Sequence, residues 1–390
     1  MPRPTRRKAT PTADAATAAG KDVSVSKATP KVSPRGDSVT SRTTPPEKQT
    51  KAKPATVSGQ VAKEEREDGS QLTINGLSSP LAAATDESAR WPFSPVCCSP
   101  DAFSLMCQQV QLEADGKRLL DTDAGLLAAA CAVALHARPD LEPTECDDLI
   151  EELADAVRRR HGETFGGACD ADSLAERTKF APQAAMAYLH EALFDGPGAF
   201  VGNNGDFYNP NNSFLPTVLE RRRGLPITLA LVYKLVAGRL GLRCWGVGLP
   251  GHFLAGVECG AGPVLVDCFH GGRLLDRQDA AERVAACVGP EADFSDDLLR
   301  PVTHRHWITR LIQNLLQTYT GAGRYEDVAA MLELELVLWP DQYHLQRDLG
   351  LVLARLGHTR PAATWLGRYL DQHPDDPQRG DLEELMGVLN

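Results

Sequence analysis

From Phe103 to about Phe194 apolar residues recur every three to four positions, as in "AGLLAAACAVALHA", "CDDLIEELADAVRRR" and "AAMAYLHEALF". That spacing gathers them on one helical face, so residues 100–195 read as an all-helical segment. The pattern then gives way to "DGPGAFVGNNGDFYNPNNSF", whose Gly, Asn and Pro density predicts a long loop. Its Asp and Asn residues lack the spacing and closing Glu of a calcium loop, so turn chemistry accounts for them. Next, "FLPTVLERRR" reads as a short helix broken at Gly224, and Pro226 starts another that ends at Gly241. Proline suits a first helical turn, where its missing N–H would have gone unpaired, and glycine suits the left-handed residue at the end. "RCWGVGL", "HFLAGVEC" and "PVLVDCF" follow as short β-type runs separated by Pro-Gly and Gly-Ala-Gly turns. The local order α-β-β-β predicts an antiparallel sheet beside a helix.

The last ninety residues are helical again and repeat. Leu311, Leu315, Gly323, Ala329, Leu332, Leu336, Pro340 and Asp341 recur 34 residues later as Leu345, Leu349, Gly357, Ala363, Leu366, Leu370, Pro374 and Asp375. Thirty-four is the tetratricopeptide period of helix-turn-helix units. Two such units cannot bury a continuous core alone, so residues 301–390 are expected to dock on the preceding domain or on a partner protein. Residues 1–90, rich in Pro, Thr, Ser, Ala and Lys and without periodicity, read as a disordered tail, which leaves 91–300 for the main domain.

Composition narrows the functional classes. Residues 1–70 carry 14 Lys and Arg against 8 Asp and Glu, so the remaining chain is strongly acidic within an overall charge of -11. An acidic body argues against nucleic-acid binding. No apolar run is long enough to span a bilayer, and no secretory h-region follows the early arginines. Ten cysteines without a CxxC pair fit buried thiols in a reducing compartment, so the expectation is cytoplasmic; the acid-free "MPRPTRRKATPTA" start leaves an organellar transit peptide as the alternative.

Motifs are sparse. "GVGLPG" at 246–251 has the GxGxxG spacing, yet it precedes a His and a strand rather than opening a helix, so no dinucleotide site and no cofactor is expected. "HRHW", with His304 and His306, reads as a loop entering the repeats rather than half a metal site, and no metal is expected. His252 opens the second strand and Asp267 closes the third. A helix N-terminus that acidifies a thiol, a strand His that takes its proton and an Asp that orients the His make a nucleophilic site; two of these three parts are present. His270 competes with Asp267 for the place opposite His252, because register is not fixed by sequence.

"NNSFLPTVLERRRGLPITLALVYKLVAGRLGL", "GVGLPGHFL" and "VDCFHGGRLL" resemble the transglutaminase-like core of the SirB-type bacterial proteins, which also carry C-terminal tetratricopeptide repeats. The resemblance spans about residues 100–375 and is sharpest over 212–275. It implies an α+β, papain-like fold with a helical N-terminal part, an antiparallel sheet and C-terminal helical repeats. It also implies Cys, His and Asp in that order: His252 and Asp267 match, while the Cys position falls on Pro226. The SirB-type branch usually has Pro there too. Thr228, in the first turn, is the substitute nucleophile to consider, although such a hydroxyl is more often a local cap. Asn212 and Ser213 are expected at the rim of a cleft, with Arg222, Tyr233 and His270 as further binding residues. The expected function is a non-catalytic binding or regulatory protein that reaches another protein through its repeats. The alternative is a cysteine-protease or transglutaminase-type enzyme acting on amide bonds with a relocated nucleophile. His252 and Asp267 are expected to touch each other and to face an open cleft.

Overall fold

The computed structural model describes residues 94–113, 116–165, 181–260 and 262–389, so the expected tail lies outside the described residues. Ser99 accepts a hydrogen bond from the Ala102 N–H and Pro100 takes the first position of α1 (Pro100–Val110). Thr122 caps α2 (Asp123–Leu135) in the same manner. Helices α3 (Pro143–Phe165) and α4 (Pro182–Phe194) complete the helical layer predicted for this half. The long loop contains only a two-residue strand, β1 (Val201–Gly202), and a 3-10 turn at Pro210–Asn212. After α5 (Leu215–Arg221), β2 (Arg223–Gly224) pairs with β1 in parallel.

Helix α6 (Pro226–Arg239) forms the centre. Leu225 precedes it and Pro226 occupies its first turn, as read from the sequence, and Gly241 beyond its end has φ 75°. Every residue from Pro226 to Ala237 is buried, so α6 has no polar face; a helix apolar all round must be enclosed by other elements. Strands β3 (Cys244–Leu249), β4 (His252–Glu258), β5 (Pro263–Asp267) and β6 (Arg273–Leu275) form an antiparallel sheet in that order against it. The first three match the predicted runs, whereas β6 is too short for a period-two pattern to register. Helix α7 (Arg277–Val288) packs on the opposite face, with Ala280 and Val284 joining Val247, Leu249 and Leu254 in a smaller core.

The repeats are α8 (His304–Gly321), α9 (Tyr325–Leu338), α10 (Tyr343–Arg355) and α11 (Thr359–Gln372), followed by α12 (Arg379–Leu389). Gly323 and Gly357, one period apart, take φ 69° and 80° at equivalent turns. "HRHW" is not the loop expected: Thr303 caps α8, its hydroxyl accepting from the His306 N–H, so His304 and His306 lie in the first helical turn. His304 Nδ1 sits 2.8 Å from the Leu120 carbonyl and His306 Nδ1 2.7 Å from the Thr303 hydroxyl, leaving them no shared ligand geometry.

Side chains at both ends of the first repeat bind it to the rest. Trp307 of α8 is fully buried against Phe253; its indole N–H donates to the Ile227 carbonyl, and a methyl added at Gly246 would come within 2.5 Å of its ring. Arg310 donates to the carbonyls of Leu249 (2.8 Å) and His252 (3.2 Å), clasping the β3–β4 turn. At the other end, the buried carboxylate of Glu333 on α9 accepts the backbone N–H groups of Val96 (2.6 Å), Cys97 (3.1 Å) and Cys98 (2.7 Å).

Candidate functional site

Strand register explains why His252 meets Asp267. Ala255 pairs with Val266, so one further step puts Asp267 beside Leu254 and makes His252 its diagonal neighbour on the same face. His252 Nε2 lies 3.1 Å from Asp267 Oδ1. The alternative between Asp267 and His270 resolves into both, because a 3-10 turn at Cys268–His270 brings His270 Nδ1 to 2.8 Å from Asp267 Oδ2 and its N–H to 3.2 Å from Oδ1. Arg283, from α7, lies 3.1 Å from Oδ2. The sequence reading missed Arg283, since no local pattern reveals which residue of α7 faces a carboxylate on the sheet.

Burial would raise the Asp267 carboxyl, but hydrogen bonding and charge from His252 and then His270 outweigh it and hold the group below the ordinary carboxylate range. An ionised Asp267 accepts from His252, from the His270 ring and from the His270 N–H, and pairs with the Arg283 charge. Toward an ionised carboxylate each imidazole acts as a donor from the nitrogen facing Asp267. The expected open cleft is not what surrounds the pair: Asp267 is 0% and His252 7% exposed, and His270, at 38%, forms the accessible edge. Beyond that edge runs a series of rings. Phe269 lies 5.2 Å from His270 and 6.2 Å from Phe207 between centroids, and Phe207 lies 5.5 Å from Tyr208, which is 62% exposed.

The other expected residues serve the scaffold. Thr228 is fully buried and its hydroxyl donates to the Asn212 carbonyl at 2.9 Å. Asn212 is buried rather than at a rim; its amide donates to the carbonyls of Asp206 and Phe207 and accepts from Asn203, folding the loop that carries the aromatic rings. Ser213 is buried beside it in the chain. Tyr233 is a core residue, with its hydroxyl 3.0 Å from His190 Nε2 and its ring stacked on Phe194, so it cannot meet a ligand. Arg222, at φ 53°, donates to the Gly198 carbonyl and stacks over Phe200 instead of facing His252.

Among the described residues no cysteine lies at the start of α6, where Pro226 stands. Nine cysteines are unpaired among the described residues, and Cys244, Cys259 and Cys268 are buried. Burial pushes Cys244 up to about 12 and raises Cys259 and Cys268 as well. Cys287 is exposed and lies against Gly251, next to His252, yet partial burial raises its thiol despite the opposing pull of Arg283. A thiol needs the reverse shift to act as a nucleophile at neutral pH.

This constellation, on a helix and an antiparallel sheet followed by 34-residue helical repeats, defines a transglutaminase-like domain joined to tetratricopeptide repeats. Residues 144–313 match the transglutaminase-like superfamily and residues 315–387 the tetratricopeptide repeat. The chain belongs to the UPF0162 family: it is 34% identical to a UPF0162 protein of Xylella fastidiosa (strain 9a5c) over 67% of its own length and 89% of that protein. It is also similar to protein SirB1 of Salmonella typhimurium, 26% identical over 48% of this chain and 69% of that one, in keeping with a SirB-type protein. A shorter stretch, 37% of the chain, is 31% identical to F-box only protein 21 of Mus musculus, covering 24% of it. No solved structure matches.

Proposed function

We propose that this chain is a binding protein, with a transglutaminase-like domain that lacks a nucleophile of its own and repeats that contact a partner protein. The observation that carries this reading is the start of α6. Pro226 stands where a thiol would, and the nearby Thr228 hydroxyl is buried and committed to a backbone carbonyl. The exposed rings of Phe207 and Tyr208 beside His270 offer a contact surface that needs no chemistry, and unpaired cysteines are in keeping with the cytoplasm.

The test is to incubate the full-length protein with a glutamine-containing peptide and a fluorescent amine, following both amide hydrolysis and amine transfer. Neither is expected, in the wild type or in Thr228→Val. Turnover that disappears in His252→Ala together with Thr228→Val or Cys287→Ser would overturn the proposal and establish the enzymatic alternative.

A further inference from the structure

We propose that His252, Asp267 and His270 bind a divalent transition-metal ion of the zinc type. The inference rests on reading this site as one that binds, and it names what it binds. Among the described residues, these three form the one group of metal-type donors whose ligand atoms all lie within 4.8 Å of one another. Two imidazoles and a carboxylate are the borderline donor set of open zinc sites, which keep a position for water or ligand.

The spacing requires little movement. Bonds of about 2.0–2.1 Å in a tetrahedral site put neighbouring donor atoms roughly 3.3 Å apart. His252 Nε2 lies 3.1 Å from Asp267 Oδ1 and His270 Nδ1 2.8 Å from Oδ2, each within about half an ångström of that value, and the three ligand atoms all lie within 4.8 Å of one another. Metal binding uses the lone pairs of the nitrogens facing Asp267, so it releases the hydrogens those nitrogens share with the carboxylate.

The surrounding contacts are those that orient ligands. Arg283 and the His270 N–H hold the carboxylate from Oδ2 and Oδ1, and Arg310 fixes the backbone carbonyl of His252. Asp267 lies between the two imidazoles, one at each oxygen, and is the carboxylate ligand, with the Arg283 guanidinium beside Oδ2. Asp267 and His252 are enclosed, while the exposed edge of His270 provides the route in.

The experiment is titration of the reduced full-length protein with Zn²⁺ by calorimetry and with Co²⁺ by visible absorption. One equivalent should bind, giving a cobalt spectrum of nitrogen and oxygen ligation without a thiolate charge-transfer band. His270→Ala, at an exposed position that the fold tolerates, should weaken Zn²⁺ binding by at least tenfold. Cys287→Ser should leave it unchanged. Equal affinity in wild type and His270→Ala, no binding at all, or a thiolate band would each overturn the metal site. Absence of metal binding together with absence of amide turnover would leave the binding-protein reading intact. Zinc-dependent amide hydrolysis lost in His270→Ala would uphold the metal site and overturn the non-catalytic reading.

Discussion

At the residue scale, the acids that do not sit near His252 are as informative as those that do. Glu335 on α9 is buried, accepts one hydrogen bond from the Gln313 amide at 3.1 Å, and leaves Oε2 without a partner. Burial pushes its carboxyl up to about 7, with Gln313 opposing and Asp348 adding to the rise. An acid whose folded pKa lies above its unfolded value destabilises the fold once the unfolded chain ionises. Stability should therefore fall as pH rises from about 4.5 to about 7, and then level off. Glu335→Gln should remove that slope and stabilise the protein at pH 8 by roughly 1–3 kcal/mol, measured as the difference between wild-type and variant urea unfolding across pH. A slope that survives the substitution would assign it to another group. Glu333, also buried and also raised by desolvation, differs in having three backbone N–H donors that offset part of the rise.

At the scale of elements, the sheet shows how far the sequence could be read. The strands holding His252 and Asp267 were legible because "HFLAGVEC" and "PVLVDCF" combine β-branched residues with glycine turns, and α6 because proline and glycine bracket it. The repeats were legible because their period returns Leu311, Gly323 and Pro340 as Leu345, Gly357 and Pro374. What could not be read depends on contacts between distant elements. Tyr233 looked available as a ligand residue, yet α6 is enclosed on every side. Asn212 looked like a rim residue, yet its amide is the hub of the loop beneath Phe207. Close approaches of this kind also fix glycines that no turn demands. Gly246 lies in β3 with ordinary strand geometry, but an alanine methyl there would meet Trp307 at 2.5 Å and Phe253 at 2.7 Å. Gly246→Ala should cost about 1–3 kcal/mol, read from thermal or urea unfolding. A neutral result would mean that α8 can withdraw from the sheet without loss.

At the scale of the whole molecule, the repeats are part of the body they follow. Trp307 bonds the start of α6 and Arg310 bonds the turn before His252, so α8 touches both elements that build the site. Unfolding of the described body in urea should accordingly be one transition, with far-ultraviolet ellipticity and tryptophan fluorescence coinciding. Trp307→Ala, by emptying a fully buried indole position, should lower stability by about 3–5 kcal/mol and speed hydrogen exchange around Ile227 and His252. Two separated transitions in the wild type would contradict this coupling.

The carboxylate of Glu333 carries a consequence for how the chain is made. Its partner N–H of Cys98 lies 235 residues earlier, and a ribosome adding roughly 5–20 residues per second needs on the order of 10–50 seconds to cover that distance. Throughout that interval the segment from Val96 to Cys98 has been synthesised but lacks the carboxylate that will accept its amides. The fold cannot close in the order in which it is translated; the lead into α1 waits for α9, and a chain released before residue 333 leaves that seam open.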